Sequence, residues 1–287
     1  MGVRCNKIEE IAGFDFTGGE SLNQIGFIGL GTMGGALLKG LLAEGVAPAE
    51  IVAFDTLKVK LEGVSEAFGI KAASDAQDVA LAAKVIFLAV KPQDMKPLLR
   101  HIAPKMMDGQ VIVSVAAGIS IKEIEKCFTS KVGVIRVMPN TPCQVGEGAM
   151  ALSTGQHVAD EDLHQVASWL ETLGMVHIVP EKLLDAVTGL SGSGPAYVYL
   201  LIEALADGGV LGGMPRAMAL EMAAQTVFGA AKMVLETEEH PAVLREMVTS
   251  PGGATAAALY SLEKDGFRGA VQKAVKKATE RSRELGD

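Results

Sequence analysis

Paired cysteines are missing from this chain. Its three cysteines, Cys5, Cys127 and Cys143, are odd in number and far apart, which suits neither a disulfide framework nor a zinc site with paired ligands; free thiols are expected. Histidine is scarce as well. His101, His157, His164, His177 and His240 form no i, i+4 pair around a glutamate, so no metal site is expected. Positive charge is in deficit: 26 Lys and Arg against 34 Asp and Glu leave a formal net charge of −8. That balance gives no footprint for nucleic acid and no polybasic membrane anchor. No apolar run is long enough to span a bilayer, because Glu203 and Asp207 interrupt the one candidate, Pro195 to Val210. Residues 1–22 lack the apolar middle of a signal peptide and read as a leader extension, poorly ordered and outside the fold. A cytoplasmic protein without nucleic-acid or membrane partners is expected. Its 287 residues suffice for two domains.

What is present begins as short apolar runs alternating with helical stretches. The runs are IGFIG (Ile25 to Gly29), IVAFD (Ile51 to Asp55), KVIFLAV (Lys84 to Val90), VIVSVAAG (Val111 to Gly118) and VGVIRVM (Val132 to Met138). They are continuous rather than alternating, as strands read when helices cover both faces of a parallel sheet. Periodic Ala/Leu/Glu-rich segments such as Thr32 to Ala43 and Gln93 to Met106 separate them. The fold expected is α/β: a Rossmann-like, doubly wound, mostly parallel sheet over residues 23–180. From 181 to 287 the β-branched runs give way to Ala, Leu, Met and Gly, and this second domain reads as all helix. Its stretch PAYVYLLIEALADGG (Pro195 to Gly209) is apolar around most of its circumference. About a hundred residues cannot cover such a helix, so a homodimer through the helical domain is expected. The Met-rich stretch Met214 to Met233 reads as core or interface packing.

The first strand runs into GLGTMGG, giving G-x-G-x-x-G at Gly29, Gly31 and Gly34 with Leu30, Thr32 and Met33 between them. A tight turn needs the first glycine, close approach of backbone to a pyrophosphate the second, and helix–strand packing the third. Its place after a strand and before a helix points to dinucleotide binding. Asp55, about twenty residues on, stands where an acid hydrogen-bonds a ribose 2′-hydroxyl. Lys58 and Lys60 follow closely enough to meet a 2′-phosphate, so NADH and NADPH both stay open. Lys91 and Pro92 lie at the carboxyl end of the third run, the ligand-binding edge of such sheets; a Lys-Pro pair is also a common turn.

Late in the chain, VTSPGGATAAALYSLEKDG (Val248 to Gly266) interrupts a helical region with Pro251, Gly252 and Gly253. One reading is punctuation. The other is an anion cradle, with Ser250 as N-cap, Pro251 in the first helical position and glycine amides left uncovered. Hydride chemistry narrows the reaction to a carbon bonded to oxygen or nitrogen. A hydroxy-acid dehydrogenase needs a positioned acid or base, whereas Lys232 reads as a solvated face and His240 as a helix cap. An iminium already carries its charge and needs no acid at an alkoxide.

The blocks VMPNTP (Val137 to Pro142), DAVTGLSGSGPAY (Asp185 to Tyr197), EALADGGV (Glu203 to Val210) and SPGGAT (Ser250 to Thr255) together resemble the pyrroline-5-carboxylate reductase family. The likeness runs from about Gln24 to the end. It implies reduction of the cyclic imine 1-pyrroline-5-carboxylate to L-proline by NADPH or NADH, an N-terminal Rossmann domain, and a helical dimer that in some members builds a larger ring. Transferred to these residues, it implies cofactor contacts at Gly29 to Gly34, at Ala89, Val90, Lys91 and Pro92, and at Val115, Ala116 and Ala117. The substrate carboxylate would fall on the backbone of Gly253, Ala254 and Thr255. Thr255 would bond the ring nitrogen, Thr188 would lie near the hydride-donating carbon, and Glu238 near the substrate ring, of a neighbouring subunit in a dimer. Two departures stand out. Asp55 occupies a position where family members often have a small or neutral residue, and SDAQ (Ser74 to Gln77) lacks an Asn that touches the cofactor in some members. The alternatives are a β-hydroxyacid dehydrogenase of related architecture and a non-catalytic dinucleotide-binding scaffold.

Overall fold

The computed structural model describes residues 23–286; the leader expected at 1–22 lies outside them. Chain order through the first half is β1 (Asn23–Ile28), α1 (Thr32–Ala43), β2 (Ile51–Phe54), α2 (Lys58–Phe68), β3 (Lys71–Ala72), α3 (Ala76–Ala82), β4 (Ala83–Leu88), α4 (Pro92–Ile102) and β5 (Val111–Ser114). Then come α5 (Ile121–Glu125), β6 (Gly133–Met138), β7 (Gly148–Thr154), α6 (Asp160–Glu171) and β8 (Gly174–Ile178). The strands form one sheet in the order β3-β2-β1-β4-β5-β6-β7-β8. All neighbours pair parallel except β6 with β7.

Successive residues of the central strands enter two different cores. Phe27, Phe87, Val113 and Ile135 join one cluster; Ile28, Ile86, Ile112 and Val134 join the other. Side chains alternate across a sheet, so a strand buried on both faces must be apolar at every position, which is why these runs do not alternate. Leu37, Leu38 and Leu41 of α1 and Val166 and Leu170 of α6 cover the first face; Val79 of α3 and Met95 and Leu99 of α4 cover the second. Phe27 and Phe87 stack on adjacent strands with ring centroids 4.9 Å apart.

Three strands escaped the sequence reading. β3 has only two residues, too few to register as a run. β7 (GAMALST) is rich in small residues, and β8 (GMVHI) lies at the sheet edge with Met175 and Ile178 exposed. The expected fourth strand also ends early, at Ser114, so Val115 to Gly118 are loop.

Beyond β8 every element is helical: α7 (Leu184–Val187), a π-helical turn Thr188–Gly192, α8 (Gly194–Leu211), α9 (Arg216–Thr237), α10 (Pro241–Met247), α11 (Ala254–Lys264) and α12 (Phe267–Gly286). Within one chain α8 and α9 meet through Ala206, Ala219 and Ala223. A side chain at Gly209 would meet the Ala219 Cβ at 3.1 Å, so the two helices pack closely there. Their larger residues point away: Leu200 is 67% exposed and Leu211 91%, and Tyr260 of α11 is 71% exposed. Covering each such side chain is worth about 1.5–3 kcal/mol, so the helical half presents the apolar surface that the sequence assigns to a subunit partner. Met218, Met222 and Met233 of α9 are among these exposed residues. Among the described residues no helix is long and apolar enough to cross a membrane.

Candidate active site

The carboxyl ends of β1, β4 and β5 are neighbours, and the strand order reverses between β1 and β4. The chain leaves the sheet in opposite directions there and opens a crevice, the usual ligand position in such folds. The three loops that enter it carry Gly29 to Gly34, Ala89 to Pro92 and Val115 to Ala117. Backbone bonds hold them together: Gly29 N donates to Phe54 O (2.9 Å), Ala89 N to Ile28 O (2.9 Å) and Val115 N to Leu88 O (3.2 Å). All the cofactor loops inferred from sequence therefore share one edge. Within them, Leu30 and Ala116 point into the two cores, so only their backbones face a ligand.

The three glycines differ in what a side chain would meet. Gly29 adopts φ +94°, and a Cβ there would lie 2.6 Å from Ala89 O; at Gly34 a Cβ would collide with Gly29 O. A Cβ at Gly31 would meet nothing within 4 Å. The first and third are thus required by the protein's own packing, while the second guards open space in front of α1. Gly31 is the N-cap of α1 and no side chain caps the helix. Amides of Thr32, Met33 and Gly34 precede the first intrahelical bond, so they are available to an anion. A cavity of about 640 Å³ opens beside this turn, lined by Gly31, Thr32, Lys39, Lys60 and Thr172 among others. The open amides and the empty space at Gly31 fit a dinucleotide's pyrophosphate.

Asp55 is nearly buried at the end of β2, and its carboxylate accepts from Leu30 N at 2.7 Å and from Leu57 N at 2.9 Å, one bond to each oxygen. It braces the glycine turn from below and keeps lone pairs for a further donor such as a ribose hydroxyl. Lys58 is exposed and Lys60 lines the cavity.

Thr188 opens the π-turn that follows α7. Its hydroxyl donates to Leu184 O at 2.8 Å, and π-turns of this kind are frequent at functional sites. Asn140, just beyond β6, ties the turn to the sheet: its Nδ2 donates to Ser191 O (3.1 Å) and its Oδ1 accepts from Ala149 N (3.0 Å). The π-turn thereby sits over the carboxyl end of β6, beside the cofactor edge. Ser193 occupies the N-cap position of α8 without capping it, and Pro195 lies in the first turn.

The helix expected to start behind a Ser250 cap starts three residues later. α11 begins at Ala254 with Gly253 as its N-cap, and Ser250 to Gly253 form a turn in which Gly253 N donates to Ser250 O at 3.0 Å. Gly252 takes φ +69°, which a glycine adopts without strain. Gly253's amide is therefore spent, and the free amides start one residue later, at Ala254, Thr255 and Ala256, before Ala257 N bonds Gly253 O. Among the described residues no hydrogen bond joins this cradle to the strand edge. Glu238 is exposed at the C-cap of α9 with φ 57°, the one non-glycine residue with positive φ among those described. His240 caps α10, accepting from Ala242 N, and Lys232 pairs with Glu236 on an exposed face.

Comparison with known proteins agrees with this geometry. Residues 181–285 match the family model described as pyrroline-5-carboxylate reductase dimerisation, and residues 24–118 match that of NADP oxidoreductase, coenzyme F420-dependent. Pyrroline-5-carboxylate reductase of Arabidopsis thaliana is 44% identical over 91% of this chain and 95% of its own length. Among solved structures, a pyrroline-5-carboxylate reductase from Coxiella burnetii superposes with a TM-score of 0.88 at 35% identity, covering 93% of this chain and 100% of that one. The Plasmodium falciparum pyrroline carboxylate reductase with NADP bound gives 0.83 at 33% identity, covering 94% and 100%. This chain belongs to the pyrroline-5-carboxylate reductase family.

Proposed function

We propose that this protein reduces 1-pyrroline-5-carboxylate to L-proline with NAD(P)H. The observation that carries the reading is a division of labour inside a chain whose relatives bear that name. One uncapped helix start faces open space at Gly31, and a second, at Ala254 to Ala256, offers amides to a smaller acid. The first suits a pyrophosphate and the second a carboxylate, which gains about 0.3–1 kcal/mol from the helix dipole beyond its hydrogen bonds.

The nucleotide, when bound, supplies the hydride. The chain's residues bind and orient. Gly31 to Gly34 hold the pyrophosphate, and Ala89 to Pro92 with Val115 to Ala117 line the nicotinamide end. Ala254 and Thr255 amides receive the carboxylate, the Thr255 hydroxyl bonds the ring nitrogen, Thr188 stands near the reacting carbon, and Glu238 serves the ring bound by the neighbouring subunit. Two reactants held in register exchange a bimolecular step for a local one. Asp55 keeps acceptor capacity for a ribose hydroxyl, and Lys58 and Lys60 beyond it suit a 2′-phosphate, so the ribose end accommodates either nucleotide. The division we infer places the dinucleotide domain at 23–180 and the dimerisation and substrate domain at 181–287. A larger ring of dimers and a cytoplasmic location complete the reading.

A dehydrogenase acting through a lysine finds no support, since Lys232 is exposed and paired. The test is direct: purified protein, pyrroline-5-carboxylate and either nucleotide, followed by nucleotide absorbance. Oxidation is expected with either nucleotide. No oxidation with either overturns the reading.

A further inference from the structure

The junction between the two halves contains a buried charged group that substrate binding does not explain. Arg136 lies in the middle of β6, its side chain 7% exposed, in register between Ser114 of β5 and Ser153 of β7. One guanidinium nitrogen, Nη1, donates to Glu181 Oε1 at 3.0 Å. Its Nε is buried without a partner among the described residues. A charge buried with a donor unspent works against stability, and an apolar side chain would fill the same sheet position at less cost. What the pair supplies instead is a fixed geometry.

That geometry is specific. The same Glu181 oxygen also accepts from Ile121 N at 2.8 Å. Ile121 begins α5, four residues after the Val115 to Ala117 loop. Four residues beyond Glu181, Asp185 accepts from Ser282 Oγ of α12 at 2.7 Å, with Ser282 itself buried. α12 presses on the π-turn one stretch earlier, where a side chain at Gly189 would meet Val275 O at 2.7 Å. At its far end, a side chain at Gly118 would meet Leu285 O at 2.9 Å. Positions 275, 282 and 285 share one face of the helix. The short segment from Glu181 to Asp185 is thus held from the sheet by one acid and from the last helix by the other, and Thr188 comes three residues after it.

We propose that Glu181 and Asp185 form a two-sided clamp that sets Thr188 in register with the cofactor loop, making Arg136, Glu181, Asp185 and Ser282 positioning residues for hydride transfer. Neither acid is assigned contact with substrate or nucleotide; each acts through the segment it holds. The proposal rests on the reductase reading above, and its test is arranged so that the two fail separately.

The variants are Glu181→Gln, which keeps length and an acceptor while removing the charge, and Ser282→Ala, which deletes one hydroxyl. Each is compared with wild type in single-turnover oxidation of NADPH by pyrroline-5-carboxylate, NADPH affinity by fluorescence titration, and thermal melting. Misplacing a reacting group slightly costs rate far more than affinity. Glu181→Gln is expected to slow the single turnover about 10-fold or more with NADPH affinity within about 2-fold; Ser282→Ala should do the same to a lesser degree. A lower melting temperature with an unchanged single-turnover rate overturns the clamp, and so does a rate loss that only follows lost affinity. If Glu181→Gln does not fold, Ser282→Ala decides by the same criteria. Absence of turnover in the wild type overturns the reductase reading and the clamp with it; wild-type turnover with unaffected variants overturns the clamp alone.

Discussion

The two halves of this molecule solve the burial problem differently. The sheet half encloses its own apolar surface, with two clusters on opposite faces that take alternate residues of the same strands. The helical half joins α8 to α9 through three alanines and turns many of its larger apolar side chains outward, Leu200, Leu211, Met222 and Tyr260 among them. Small residues let α8 and α9 approach closely, at the cost of burying little area between them. A half built this way depends on a second copy for stability, whereas the sheet half does not. The proposed nucleotide site therefore belongs to the half that covers its own core, and the proposed substrate cradle to the half that leaves its apolar surface for a partner.

A charge placed on the outward face of α8 should break that comparison most severely. Leu200→Glu would bury an unpaired carboxylate in a subunit contact, a cost of about 3–5 kcal/mol. Sedimentation should show monomers, helical content should fall, and turnover should vanish while NADPH still binds to the sheet half. A stable active monomer would show that the helical half needs no partner. The reciprocal variant is Gly31→Val. A side chain in the one open position of the glycine turn should weaken nucleotide binding about 100-fold, equivalent to about 2.7 kcal/mol, and leave the dimer intact. Retained affinity would move the cofactor away from α1.

Thr255→Val separates the halves chemically. Shape is kept and one hydroxyl removed, so a hydrogen bond to a charged nitrogen worth about 1.5–3 kcal/mol is lost. The expected fall in kcat is about 10-fold to 100-fold with nucleotide affinity unaltered, measured by steady-state rates and titration. Unchanged kcat would assign the ring nitrogen to another group.

Sequence and structure agree where the physics is local. The glycine turn was legible because Gly29 and Gly34 answer the protein's own packing and Gly31 leaves space for a ligand, and the five main runs because burial on both sheet faces leaves few polar positions. The all-helical second half was legible from the loss of β-branched residues after Val179. Tertiary context hid the rest. Nothing in IVAFD says that the Asp55 carboxylate also braces the glycine turn through Leu30 N, 25 residues away in sequence. Likewise Ser-Pro-Gly-Gly permits a helix start at Pro251 or at Ala254, and only the turn closed by Gly253 N chooses the later one. The clamp was least visible of all, because Arg136 and Glu181 lie 45 residues apart and no pattern links them.

Helix starts sealed by the protein's own side chains provide the smallest expected effect and the control for the others. Asp75 and Ser120 cap α3 and α5 in capping boxes, their side chains accepting first-turn amides of the kind that α1 and α11 leave free. The Gln77 amide, then the neighbouring His101, hold the Asp75 carboxyl below its usual range. A carboxyl so depressed stabilises the fold at pH values above its unfolded pKa, and that contribution fades as pH falls through the folded one. Asp75 is half-exposed, so solvent keeps the charge term small. Asp75→Ala should cost about 1 kcal/mol at neutral pH, chiefly through the lost cap, with no change in kcat or nucleotide affinity. The difference in denaturation midpoint between variant and wild type should shrink as pH is lowered below about 4. A constant difference across that range would mean the carboxylate's charge contributes nothing at this cap. A loss of turnover would mean that the capped starts, like the open ones, take part in the chemistry.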